Sequence, residues 1–247
     1  MDRFTKLFPE DLTYEKKSRI KKAKKIAVVL KDTLGKTSDK KCLDFGCSLG
    51  HITGYLGGCF KKVFGVDVDA SAIKRAKKIN RFSNVSFYIS QENKVPFADS
   101  FFDAIVFNQI YEHVQNPSKV VAEIKRVLKP GGVCYFGARN KYGIFDGHYN
   151  LPFLSWLPRS FADFYIKQTS NKKKYDIRLY SLSQLKELVK GFDIQDYTLS
   201  IINDPKKFNT EDVIPTNWGV NRIIFLLSKI CYAFIPNYIW VLKKASI

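Results

Sequence analysis

Asp44, Gly46 and Gly50 stand in the run Cys-Leu-Asp-Phe-Gly-Cys-Ser-Leu-Gly, residues 42 to 50, where an apolar strand pattern meets an acid and a glycine-rich turn. An acid there can meet a cationic or hydroxyl-rich ligand, and the glycines let the backbone turn tightly and approach it closely. This is the chemistry of a nucleotide-type cofactor site. The spacing excludes two such sites, because a dinucleotide turn requires G-x-G-x-x-G and a P-loop requires Gly-Lys-Ser/Thr after its spacer. Asp67 is the second acid of interest. It closes the run Lys62 to Val66, and an acid ending the second strand of a doubly wound sheet can accept hydrogen bonds from both hydroxyls of a ribose. Asp69 suits the N-cap of the helix that follows.

His113 and His148 are the candidates for proton transfer, since imidazole titrates near neutral pH. His51 follows the glycine turn and frames the same pocket, while His113 also suits a packing position at a helix start. Cys42, Cys47, Cys59, Cys134 and Cys231 are odd in number and lack metal-ligand spacing, so no metal site is expected. They fit buried thiols of a reducing cytoplasm. The amino terminus, Met-Asp-Arg, has no apolar signal core, which predicts a cytoplasmic protein.

These residues need a sheet and helices to position them. The 247 residues are enough for one α/β domain, and 45% are hydrophobic. A helix is predicted over 51 to 58, a strand over 62 to 67, and a helix after Asp69 with Ile73 and Ala76 inward. Val85 to Ile89 reads as a third strand and Ser100 to Asn108 as the entry to a fourth, with Asp103 structural. Asn116 and Pro117 start a helix with Val120, Val121, Ile124 and Leu128 inward. Lys129 to Gly132 ends it, and Val133 to Phe136 opens a fifth strand. Ser183 to Lys190 reads as a helix stopped by Gly191, Phe192 to Ile201 as the sixth strand, and Asn237 to Lys243 as the last.

Three segments lie outside that repeat. Lys16 to Lys31 carries Ile20, Ala23, Ala27, Leu30 and Leu34 at helical spacing, giving a cap helix within residues 1 to 36 whose lysines face water. Residues 137 to 180 are long for a connection and rich in aromatics, which predicts a helical lid that covers the acceptor site. Arg139, Asn140 and Tyr149 are its candidate acceptor contacts. Val220 to Phe234 is apolar nearly all round, which predicts a buried or lid-contacting helix, with docking on a membrane surface as the sharper reading.

The chain carries 41 Lys and Arg against 23 Asp and Glu, a formal charge of +18. Such an excess favours nucleic acid, a phospholipid surface or a phosphate-bearing small substrate, and lysines on solvated faces account for it equally. Residues 1 to 41 alone hold 13 basic residues against 6 acids.

The run Asp44, Gly46, Cys47, Ser48, Gly50 resembles motif I of class I S-adenosylmethionine-dependent methyltransferases. The order of Asp67, Val95-Pro96-Phe97, the Phe102-Asp103 pair and Lys129-Pro130-Gly131-Gly132 is similar to the same family. Asn108 to Val114 resembles the stretch after the fourth strand in ubiquinone- and menaquinone-type members. The resemblance implies a Rossmann-like, mostly parallel sheet of seven strands, the last antiparallel, with helices on both faces and a helical lid after strand five, all in a single domain spanning 1 to 247. It implies S-adenosyl-L-methionine as cofactor, held by Asp44, Gly46, Cys47, Ser48, Gly50, Asp67, Val68 and Asn108. Val68 would lie against the adenine. Gln91 stands where the family has an Asp that accepts from the adenine amino group; an amide oxygen can still accept, or Glu92 takes over by a one-residue shift. Tyr14 or Arg19 would reach the methionine carboxylate.

The Asn/Asp-Pro-Pro-Phe/Tyr tetrapeptide of amino-group methyltransferases is absent after strand four, and so is the cysteine pair of carbon-5 cytosine methylation. These gaps favour a small-molecule, sugar or lipid-linked acceptor, O-methylated with help from His148 or His113, over nucleic acid. Peripheral membrane contact would accompany a lipid-linked acceptor. The alternatives are an RNA methyltransferase using the basic surface and a non-catalytic cofactor-binding module.

Overall fold

A computed structural model of the chain describes residues 14 to 146, 149, 151 to 169 and 174 to 245, with side chains from residue 17. The amphipathic amino-terminal pattern forms α1 (Tyr14–Leu34). Strands and helices then alternate: β1 (Lys41–Phe45), α2 (His51–Gly57), β2 (Lys62–Asp67), α3 (Ala70–Ile79), β3 (Val85–Ile89), β4 (Phe102–Asn108), α4 (Pro117–Val127) and β5 (Leu128–Arg139). Beyond them lie α5 (Arg159–Thr169), α6 (Leu182–Leu188), β6 (Asp193–Asp196), α7 (Thr198–Asn203), α8 (Trp218–Ile230) and β7 (Asn237–Lys243).

The seven strands form one sheet in the order β3-β2-β1-β4-β5-β7-β6. Pairing is parallel from β3 through β5, and β7 runs antiparallel to both β5 and β6. Successive strand residues face opposite sides, as the period of two requires. Ala104 and Val106 join the core beneath α1, α2 and α3, while Ile105 and Phe107 join the core beneath α4 and α6. Near-continuous burial on both faces is what produces unbroken apolar runs in these strands.

Local chemistry fixes the helix starts. The Asp69 carboxylate accepts from the backbone N–H groups of Ser71 and Ala72, Asn116 accepts from Lys119 ahead of Pro117, and Ser181 with Gln184 forms a reciprocal capping box. At 12 residues, β5 takes in Lys129 to Gly132 as well as the expected 133 to 136. That segment is absorbed as a bulge between Phe102 and Ala104 of the partner strand.

Two elements differ from expectation. The sixth strand stops at Asp196 instead of continuing to Ile201, because the Asp196 carboxylate accepts from the Thr198 N–H and turns the chain into α7. Of the two readings of Val220 to Phe234, burial fails, since α8 has no buried residue and Ile223 and Ile230 are exposed, whereas contact with the 137 to 180 insertion occurs at Phe234, in a 3-10 turn at Tyr232–Phe234. No described helix is long and apolar enough to cross a membrane. All five cysteines are free thiols; Cys42, Cys47 and Cys134 are buried, whereas Cys231 is exposed.

Between β5 and α6 the chain builds a small core of its own from Leu154, Ala162, Ile166, Tyr175 and Ile177. Trp156 of this insertion stacks on Phe234 beyond α8, with ring centroids 5.9 Å apart.

Candidate functional site

Strand order reverses between β1 and β4, where β1 has β2 on one side and β4 on the other. In an open α/β sheet that reversal opens a crevice beyond the carboxyl ends of the strands. A cavity of about 480 Å³ occupies it.

The glycine turn forms its floor. Gly46 and Gly50 have φ of 73° and 74°, and Ser48 between them is also left-handed. A Cβ on Gly46 would lie 2.6 Å from Ile110 Cδ1, and one on Gly50 would lie 2.5 Å from the Phe87 ring, so both positions require the missing side chain. Gly46 and Cys47 both donate backbone hydrogen bonds to Val66 O at 2.9 Å, pinning the turn to the end of β2.

Asp44 lines the cavity and is buried, and its Oδ2 accepts from Thr53 Oγ1 at 2.6 Å. Burial pushes its carboxyl up to about 7, against the opposing effects of the Thr53 hydrogen bond and the Arg19 charge. Asp67 accepts from Ser48 N at 2.7 Å and from Asp69 N at 3.0 Å. A carboxylate has about four lone-pair sites, so capacity for a diol remains. Val68, 60% exposed, lies beside it on the cavity wall.

Of the other residues expected here, Cys47, Ser48, Asn108, His113 and His51 line the cavity, and so does Arg19 of α1. Glu92 lines it while Gln91 does not; Gln91 bridges to Lys94, and Ser90 takes the neighbouring wall position. Gly50 is also outside the lining and acts as the N-cap of α2. His148 and the Tyr14 side chain lie outside the described residues. His113 is exposed at the cavity wall, and desolvation first, then Arg139, pulls its imidazole below the usual value, which favours the neutral form.

A second cavity, of about 650 Å³, adjoins the first. Lys22, Asn108, Gln109 and Arg139 line both. Its remaining wall is largely apolar, with Ile201, Ile202, Ile224 and Leu227 among the contributors. Gln109 stands at the junction with φ 57°, a conformation costly for a side-chain-bearing residue, held by a 2.7 Å bond from its N–H to Gly137 O. Its amide oxygen accepts from Lys22 Nζ at 2.9 Å.

The acceptor contacts separate. Arg139 faces both cavities, but Asn140 and Tyr149 face neither. The Asn140 amide donates to Ala233 O, Ile235 O and Tyr238 Oη and is 2% exposed, so it ties β5 to the segment before β7. Tyr149 donates to Asp176 at 2.6 Å within the insertion. Of the expected lid, Ile144 is the described member beyond Asn140 that lines the second cavity, while Phe145, Phe153, Phe161 and Phe164 are exposed.

Lys22 and Lys25 were expected in water with the other α1 lysines, yet both line the second cavity. Sequence reasoning also passed over Gln109, whose left-handed backbone leaves no mark in residue type. Arg139 is backed by Glu112, a carboxylate 3% exposed that burial pushes up to about 7, with Oε1 3.7 Å from Arg139 Nε. Among the described residues, no group of His, Cys, Asp or Glu comes together to hold a metal.

Residues 43 to 136 match the family model of a methyltransferase domain. That segment, from β1 into β5, is similar to the methyltransferase domain of class I S-adenosylmethionine-dependent methyltransferases. The chain is 34% identical over 94 residues to the ubiquinone/menaquinone biosynthesis C-methyltransferase of Desulfotalea psychrophila, covering 37% of this chain and 38% of that protein. It is 32% identical over 113 residues to the ubiquinone biosynthesis O-methyltransferase of Thiobacillus denitrificans, covering 44% and 49%. The match thus spans less than half the length of these methyltransferases. The fold is similar to that of an S-adenosylmethionine-dependent methyltransferase from Aquifex aeolicus, with a TM-score of 0.55 and 18% identity over 95% of this chain and all of the other. The methyltransferase match ends at Phe136, so the second cavity is built largely by residues beyond it.

Proposed function

We propose that the chain transfers a methyl group from S-adenosylmethionine to a small-molecule or lipid-linked acceptor, with a hydroxyl as the receiving group. The observation that carries this reading is the junction of two unlike cavities at Asn108, Gln109 and Arg139, one flanked by Asp44 and Asp67 and the other walled by apolar side chains.

The first cavity fits the cofactor. Asp67 retains lone pairs for a ribose diol, Val68 offers an apolar surface to a base, and Arg19 supplies a cation for a carboxylate. The cofactor supplies an activated methyl group. The chain's own residues then have to bind and orient the acceptor and exclude water from it, so positioning carries the catalysis. A neutral His113 on the cavity wall can take the proton that a hydroxyl acceptor sheds.

The ubiquinone pathway relatives act on carbon in one case and oxygen in the other, by their names. The apolar second cavity supports an acceptor of comparable hydrophobic character. The exposed apolar residues of α8, with Leu227 also lining that cavity, support peripheral contact with a lipid surface near its mouth.

The test is transfer of isotopically labelled methyl to a cell lysate separated into lipid, small-molecule and RNA fractions. Label in the lipid or small-molecule fraction is expected. Label confined to RNA would replace the acceptor class. No label, together with no calorimetric binding of S-adenosylmethionine, would overturn the enzyme reading.

A further inference from the structure

Lys22, Lys25 and Arg139 place three basic side chains on one cavity whose other walls are mainly apolar. Their pairing is incomplete. Lys22 has a neutral partner in the Gln109 amide oxygen. Lys25 makes no hydrogen bond or ion pair to a described residue, and Asp212, an acid whose charge acts on it, is paired with Lys21 at 3.0 Å. Arg139 Nε is buried without a hydrogen-bond partner, and Glu112 Oε1 behind it, 3.7 Å away, is buried and unbonded as well.

Partly buried cations whose charge is incompletely paired are costly, and a ligand that supplies the missing charge removes that cost. Desolvation pulls Lys22 down to about 8 and lowers Lys25 in the same direction, as expected where positive charge lacks a counter-ion. The cofactor's own carboxylate does not account for all three. Arg19 and Lys22 line the first cavity, whereas Lys25 lines the second and not the first. From Lys25 and Arg139 the apolar wall continues to Ile144, Val213, Leu227 and Phe234, which are at least partly exposed.

We infer that the second cavity binds an anionic amphiphile, its carboxylate or phosphate group held by Lys25 and Arg139 and its hydrocarbon part lying along the α7 and α8 wall. A charged head and an apolar tail thereby acquire opposite ends of one site, and Lys22 links that site to the cofactor cavity. Glu112 is a positioning residue: it holds the guanidinium of Arg139 from behind without reaching the ligand cavity.

Naming this occupant as the methyl acceptor rests on the methyl-transfer reading above; the anion preference does not. Calorimetric titration of the full chain with decanoate, decyl phosphate and decanol, each below its micellar concentration and with S-adenosylhomocysteine present, separates the two. At least one anion should bind about tenfold more tightly than the alcohol, the size of one charge-assisted hydrogen bond. The tighter of the two anions identifies the head group. Lys25→Met should bring the ratio close to one while S-adenosylhomocysteine affinity is unchanged, and Lys25→Arg should retain the preference. Equal binding of decanol and both anions by the unaltered chain, or a preference that survives Lys25→Met, overturns the inference. Anion preference without S-adenosylhomocysteine binding would remove the methyl-transfer reading and leave this one standing.

Discussion

Thr53, on the first turn of α2, donates a 2.6 Å hydrogen bond to Asp44 on β1, and both side chains are buried. The bond joins the two ends of the glycine turn and is the strongest influence opposing protonation of Asp44.

A pH dependence follows. Burial raises Asp44 from 3.8 and Glu112 from 4.5, each to about 7. The folded chain holds these two protons where the unfolded chain has released them. Their stabilising contribution is therefore complete below about pH 4 and is lost as pH rises through about 7, by roughly 4 kcal/mol for Asp44 and roughly 3 kcal/mol for Glu112 at full ionisation. Urea unfolding of the ligand-free chain at pH 5 and pH 8 measures this. Asp44→Asn and Glu112→Gln should each flatten the profile, and a stability that climbs from pH 5 to pH 8 in the unaltered chain contradicts it.

Asp67 has a different role in the same cavity. Its oxygens hold Ser48 N and Asp69 N while facing the space assigned to the ribose. Asp67→Ala should weaken S-adenosylhomocysteine binding by at least about tenfold, from the loss of about 1.5–3 kcal/mol per hydrogen bond to a charged group. Titration calorimetry gives the affinity, and far-ultraviolet circular dichroism should remain unchanged. Undiminished affinity would remove Asp67 from the cofactor site.

Gly50 and Gly54, six and ten residues after Asp44, should not behave alike on substitution. Gly50→Ala combines a left-handed backbone with overlap on Phe87 and should cost about 2–4 kcal/mol. Gly54→Ala, inside α2 with nothing within 4 Å of the added carbon, should stabilise by about 0.5–1 kcal/mol. Thermal midpoints that move in the same direction would contradict the geometry.

Ile230, 81% exposed, probes the lipid contact of α8. Ile230→Asp should leave the thermal midpoint within a degree or so, since surface changes are usually within ±0.5 kcal/mol. It should also reduce co-sedimentation with anionic phosphatidylglycerol vesicles severalfold. Unchanged co-sedimentation, or none by the parent chain, rejects the lipid contact.

The cofactor half of the molecule was legible because β1 and β2 are short apolar runs closed by a glycine and by an acid, and because α3 and α4 begin with the capping side chains of Asp69 and Asn116. Phe192 to Ile201 defeated the same reading. Apolar Ile194, Tyr197 and Ile201 suit either a strand or a helix, and the decision rests on the bond from Thr198 N to the Asp196 carboxylate. In α8, apolarity on every side reads as burial, yet a surface that meets something outside the chain has the same pattern. Asn140 looked like a ligand contact because it follows a strand beside Arg139; its amide is consumed by three partners almost a hundred residues away. Long-range pairing of that kind leaves no local trace. Lys22 and Lys25 were hidden among solvated lysines, since only docking of α1 separates them from their neighbours.

The antiparallel strand β7 lies between β5 and β6, pairing Val133 to Arg139 on one side and Asp193 to Asp196 on the other. It also follows the other six strands of the sheet in sequence. Until residues 237 to 243 leave the ribosome, β5 presents an unpaired edge and β6 has no neighbour to join. The sheet is therefore completed from its middle once β7 has emerged, and until then the nascent chain carries an adhesive edge that invites pairing with other chains.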